Sequence, residues 1–260
     1  MAAVFCALAI VAQPATAADW SVTEIQLQYG NLETPSFFGG GDADTFSLTF
    51  QHASSWKYGD NYFFITYFNG DDPSGFNNND VYGEFYPNFS LGKITGKNLS
   101  LGPMRDVGIL LGLNFGADSN ILKFLPGVRF SWTIPGFAFF NTDFMAYIDA
   151  SEGIINGVGA PKETNSYIID VNWAYLFTIG GSRFSIEGHI EYVGARENEF
   201  GDEVSWWILA QPEFRFDLGH ALGRTQDHLF IGVELQIWKN KLGDKATDEF
   251  APQALLVWRF

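Results

Sequence analysis

Apolar and polar side chains alternate along nearly the whole chain, in stripes about ten residues long, the segment length of a tilted strand that crosses a membrane. In one such stripe Phe184, Ile186, Ile190 and Tyr192 interleave with Arg183, Ser185, Glu187, His189 and Glu191. Successive strand residues point to opposite faces, so a stripe of this kind needs apolar surroundings on one side and water on the other. A soluble β-domain would use the apolar face as a core, whereas a transmembrane barrel would turn it to lipid.

Counting alternating runs between turn signals gives about twelve strands, an even number of the kind bacterial barrels use. They are expected near 21–29, 44–52, 61–68, 80–91, 106–115, 122–134, 137–149, 166–178, 183–193, 204–218, 228–238 and 249–260. Their connections alternate in character. Segments 30–43, 69–79, 150–165 and 194–203 are polar or Gly-rich, while Pro135-Gly136 and Gly180-Gly181-Ser182 are tight. Long loops on one rim and short turns on the other is the barrel rule. The connection 92–105 is the exception, long where a short turn is expected. The eleventh run puts Leu229, Ile231, Val233, Leu235 and Ile237 on one face and Glu234 and Gln236 on the other, and the last run carries Ala254, Leu256, Trp258 and Phe260 outward. An aromatic at the end of such a strand resembles the insertion signal of outer-membrane barrels. The fold expected is therefore all-β, a transmembrane antiparallel up-and-down β-barrel.

Residues 1–18 carry no charge, are apolar from Ala2 to Ala12 and end in Ala15-Thr16-Ala17-Ala18, as a secretory signal peptide does, although no Lys or Arg precedes the apolar run. The barrel domain is then 19–260. The single cysteine, Cys6, falls in the leader and is read as part of it rather than as a lipid attachment site. With 47% hydrophobic residues the chain is not disordered, and a net charge of −15 argues against any general affinity for nucleic acid.

Charges face hydrocarbon only at a cost of about 2–4 kcal/mol for Arg or Lys at the midplane, so the polar faces should line a lumen. Strand phase places Tyr82, Glu84 and Tyr86, then Asp143 and Tyr147, then Asp170, Glu187, Trp207, Glu213, Arg215 and Glu234 there as candidate solute-binding residues. Arg129, Arg183, Arg215 and Arg259 could instead bridge the carboxylates into a plug, but a barrel of about twelve strands is wider than side chains alone fill. Aromatic rings beside carboxylates and amides suit a planar, partly polar solute, with base stacking worth about 1–3 kcal/mol per base. The acidic surplus would repel a phosphate. A pore that passes nucleosides and excludes nucleotides is the expectation.

The segment from Glu84-Phe85-Tyr86-Pro87-Asn88-Phe89-Ser90 through Lys93-Ile94-Thr95 to Leu99-Ser100-Leu101-Gly102-Pro103 resembles the stretch after the third strand of Tsx-type nucleoside-specific channel porins of the Gram-negative outer membrane. Weaker likeness runs through residues 127–147 and the aromatic C-terminus. The resemblance implies a monomeric twelve-stranded outer-membrane barrel carrying nucleosides, with phages or colicins as further partners. It accounts for the long connection 92–105 and carries over one acidic residue, Glu84.

Competing chemistry is weaker. His52 and Ser54 share a strand face, a spacing similar to that of base and nucleophile in barrel phospholipases, but the rest of that motif is missing. His52, His189, His220 and His228 fall in separate elements, so no metal centre is expected. No cofactor or enzymatic activity is expected either. A non-conducting structural or adhesive barrel remains the other alternative.

Overall fold

The computed structural model describes residues 18–260. The expected signal peptide thus lies outside the described residues, save for Ala18. The elements are β1 (Trp20–Glu33), β2 (Asp42–Trp56), β3 (Gly59–Gly70), β4 (Asn78–Ser90), α1 (Leu91–Thr95), β5 (Met104–Gly116), β6 (Ile121–Trp132), β7 (Phe137–Asp149) and α2 (Gly153–Asn156). They continue with β8 (Ser166–Ile179), β9 (Ser182–Val193), β10 (Arg196–Glu197), β11 (Glu203–Val204), β12 (Trp207–Ala210), β13 (Glu213–Asp217), α3 (Leu218–Ala221), β14 (Leu229–Lys239) and β15 (Glu249–Arg259). Each barrel strand pairs antiparallel with its neighbours in the chain, and β1 pairs β15, which closes the sheet. β10 and β11 form a separate ribbon in one loop.

β12 and β13 are two halves of one wall strand, so the barrel has twelve. The break falls at Gln211 and Pro212, where proline has no N–H to give to a ladder. Register survives the break, with Ala210 opposite Ile190 and Glu213 opposite Glu187. Gly188 sits beside the gap at φ +142, and a Cβ there would lie 2.2 Å from the Gln211 carbonyl oxygen. Glycine is required at this crossing.

The barrel is inverted relative to a soluble domain: its buried residues are mostly polar, among them Glu24, Gln26, Gln28, Arg129, Asp143, Arg215 and Glu234. Phe46, Leu48, Phe50, Ile109, Leu111, Phe124, Phe144, Ile231, Val233 and Leu256 point out and are exposed. Apolar surface of that extent has a stable place only in hydrocarbon, and closure leaves no strand edge to be solvated there. Among the described residues no helix is long and apolar enough to cross a membrane.

Short turns and both strand termini share one rim, as expected, but two connections on that rim are long. The expected one, after β4, holds α1. Ser90 caps this helix by accepting from Lys93 N at 3.0 Å, and Gly96 ends it at φ 67. Lys93 Nζ then reaches the turn between β2 and β3, donating to Ser55 Oγ at 2.6 Å and to the Trp56 carbonyl at 2.8 Å. Asp106 accepts from Ser90 Oγ and from Gly92 N, where a side chain would collide with the carboxylate. The second long connection, residues 218–228, fills the gap between the runs expected at 204–218 and 228–238, a gap that the sequence reading does not single out as a second exception. Asp217 caps α3 by accepting from His220 N at 2.8 Å and also accepts from Asp227 N at 2.8 Å.

Candidate functional site

The lumen is built by the period of two in each strand. Tyr82, Glu84 and Tyr86 alternate inward along β4, meeting Asn114 from β5. Tyr82 donates to Glu84 Oε1 at 2.6 Å, Asn114 donates to the same oxygen at 2.9 Å, and Tyr86 donates to Asn114 Oδ1 at 2.9 Å. The result is a rigid group of two phenol rings, an amide and a carboxylate, with Glu84 9% exposed.

Next to it runs an apolar band that strand phase alone did not single out. Tyr86, Leu110, Leu125, Met145, Tyr147, Ile168, Val193 and Trp207 form one buried cluster, each from a different strand of the β4 to β12 wall except Met145 and Tyr147, which share β7. Tyr147 and Trp207 meet edge to face with centroids 6.1 Å apart. Towards the loops the band is roofed by cations, the Arg196 guanidinium lying 4.1 Å from the Trp207 ring centroid and Lys123 Nζ 5.3 Å from that of Tyr147. Both are held by carboxylates, Lys123 by Asp149 and Glu163 and Arg196 by Glu163.

Ionic groups line both this wall and the one formed by β13, β14, β15 and β1. Arg215 on β13 donates to Glu213 at 2.7 Å and to Glu24 at 3.1 Å and lies 3.3 Å from Glu187; Arg259 joins Glu24 at 2.5 Å. Glu234 accepts from Gln28, from Gln253 at 3.0 Å and from Gln211 at 3.2 Å. Arg129 grips Asp143 with two bonds, at 2.8 and 2.6 Å, and reaches Asp60 on β3 at 2.9 Å. Three of the four arginines considered as bridges therefore do bridge lumen carboxylates, whereas Arg183 pairs with Asp217 and Asp227 beside α3. Asp170 is brought to His189, with Nδ1 2.9 Å from its carboxylate.

Glu24, Asn114, His189, Glu191 and Gln211 belong to this lumen beside the expected residues. The alternating pattern carried their orientation, but their partners lie on other strands. His52 and Ser54 face outward, and each is engaged elsewhere: His52 Nδ1 is 2.8 Å from Thr23 Oγ1, and Ser54 Oγ accepts from Asn61 at 2.6 Å. His52 also stacks on Phe63.

The family model described as nucleoside-specific channel-forming protein, Tsx, matches residues 17–255. The chain is 26% identical over 257 residues to the outer membrane protein OmpK of Vibrio parahaemolyticus, an alignment covering 92% of this chain and 89% of that one. It superposes on the NanC porin with a TM-score of 0.52 at 11% identity, over 90% of this chain and 98% of that one, which is a likeness of fold. A closed barrel with a polar lumen and a lipid-facing apolar surface is the form such proteins take, and the chain belongs to the Tsx family of channel-forming proteins, as an outer-membrane channel of Gram-negative type.

Proposed function

We propose that this channel passes nucleosides by weak, selective binding in its lumen and excludes nucleotides. The observation that carries the reading is the Tyr82–Glu84–Tyr86–Asn114 group beside the apolar band with Tyr147 and Trp207. A base can stack on such rings for about 1–3 kcal/mol, and carboxylate and amide groups accept from or donate to sugar hydroxyls and base edges. Energies of that size bind a solute and still release it, as conduction requires. Asp170, Glu187, Glu213 and Glu234 add to the acid field, which repels a phosphate and leaves a neutral nucleoside unopposed. The family description supports the same solute class.

Adenosine should enter liposomes holding the purified protein much faster than its monophosphate, and equal flux of the two overturns the reading. Glu84→Ala and Tyr82→Ala should insert normally yet weaken adenosine block of single-channel current about tenfold or more, since a hydrogen bond to a charged group is worth about 1.5–3 kcal/mol. The lipid-facing control Ile231→Ala should leave the block unchanged.

One closed chain encloses the lumen, so the proposed working unit is the monomer in outer-membrane lipid. The loop rim exposes Phe37, Phe38, Ile155, Val158 and Phe200, apolar side chains of the sort that mark docking surfaces, and this is where a phage or colicin would attach.

A further inference from the structure

Apart from the arginine-held carboxylates, the lumen contains an acid cluster with different chemistry. Asp170 on β8 and His189 and Glu191 on β9 each offer a ligand atom, and all of these atoms lie within 4.8 Å of one another. Pairing makes the cluster, because Asp170 is directly opposite Glu191 and His189 is two residues before Glu191 on the same face.

The imidazole is fixed in one orientation by its neighbours. Gln211 donates from Nε2 to Glu234 at 3.2 Å and to Gln236 at 3.3 Å, which turns its carbonyl oxygen to His189 Nε2 at 3.1 Å. Nε2 must therefore carry a proton. On a neutral ring Nδ1 then presents a lone pair, and it faces an oxygen of Asp170 at 2.9 Å. Two such atoms at that separation need a proton or a metal ion to join them. A histidine whose far N–H is held by a carbonyl is also the arrangement that orients metal-ligating imidazoles.

Charge supplies an independent reason. Glu191 is 9% exposed, and its hydrogen-bond partner is Trp207 Nε1 at 3.4 Å. Among the described residues neither Glu191 nor Glu84 pairs with a lysine or arginine, and the ion partner of Asp170 is His189 alone. Carboxylates removed from water without a cation are costly, and a dication offsets several at once.

We propose that Asp170, His189 and Glu191 form a lumen site for a divalent transition-metal ion of the zinc type, and that an ion held there narrows the pore. One imidazole nitrogen and two carboxylate oxygens match zinc preferences and leave a fourth position for water or a solute group. Tetrahedral zinc bonds of about 2.0–2.2 Å set ligand atoms about 3.3–3.6 Å apart, so His189 and Asp170, 2.9 Å apart, would open slightly to admit the ion. Magnesium, which prefers an all-oxygen octahedron, fits this set poorly.

Isothermal titration calorimetry of the detergent-solubilised protein with zinc chloride should show one ion per barrel, and magnesium chloride should show none. Zinc should also lower single-channel conductance. His189→Gln and Glu191→Gln, each checked for folding by heat-modifiable gel migration, should weaken zinc binding at least about tenfold, and Gln211→Ala, which among the three ligands bonds His189 alone, by about 10–100-fold. X-ray absorption of the zinc-loaded natural sequence should reveal one imidazole in the first shell, a readout that needs no variant. The proposal is overturned if zinc does not bind, if magnesium binds equally, if both ligand variants retain full affinity, or if the first shell lacks imidazole. None of these results depends on which solute the channel carries.

Discussion

Arg215→Ala lowers barrel stability by about 3–5 kcal/mol, the cost of leaving buried charges without their partner. Arg215 is 2% exposed and Glu24 1%, so water cannot take over the lost bonds without the lumen rearranging. The strands make matters worse, because Glu213 lies directly opposite Glu187 on β9 and Glu234 on β14. Like charges facing each other across a ladder destabilise it, and Arg215 is the group that contacts Glu213, Glu187 and Glu24 together. Arg259 holds part of the cluster, through Glu24 at 2.5 Å and Glu187 at 3.6 Å, but among the described residues only Arg215 pairs with Glu213. Urea unfolding in lipid vesicles, followed by tryptophan fluorescence, should show a lower midpoint with an unchanged slope. The double variant Arg215→Ala/Glu24→Ala should recover part of the loss. A midpoint equal to that of the natural sequence would mean the ionic wall does not hold the barrel together.

Val233→Arg is the second large effect, about 2–4 kcal/mol if the residue sits near the bilayer midplane, as its place midway along β14 implies. Val233 points outward and is 40% exposed, so a guanidinium there meets hydrocarbon with no partner. Gln236→Lys, three residues on and facing the lumen beside Glu249, gains a carboxylate partner and should cost a small fraction of that. Refolding yield into vesicles, read by gel shift, separates the two. Equal yields would contradict the assignment of the two faces.

Much of this was legible in the chain because a strand's two faces are a local property. The run expected at 137–149 coincides with β7, and those at 166–178 and 183–193 differ from β8 and β9 by one residue at one end. The inward phase of Glu84, Asp143, Arg215 and Glu234 followed from the same alternation. The tenth run read as continuous, since its phase is preserved through Gln211 and Pro212, although the ladder is interrupted there. The gap between the runs at 204–218 and 228–238 matches the long connection after β13, but the order within it depends on Asp217 caps, which hydrophobic periodicity does not register. The segment that resembles the Tsx family proved mostly architectural: Glu84 faces the lumen, while Ser90, Gly92 and Lys93 clasp the terminal rim.

The sequence by itself determined that there are about twelve alternating strands and which face of each is wet, because side-chain direction repeats every two residues regardless of what the strand pairs with. Only the tertiary structure decided which wet residues meet. Closing the barrel brings Glu24 to Arg215 across most of the chain and joins Asp60 to Arg129, while the pairing of β8 with β9 gathers Asp170, His189 and Glu191. It also assembles single apolar residues from successive strands into one band inside a polar lumen. Those meetings are set by ladder register and by curvature around a closed sheet, which are relations between strands and leave no mark on the pattern within any one of them.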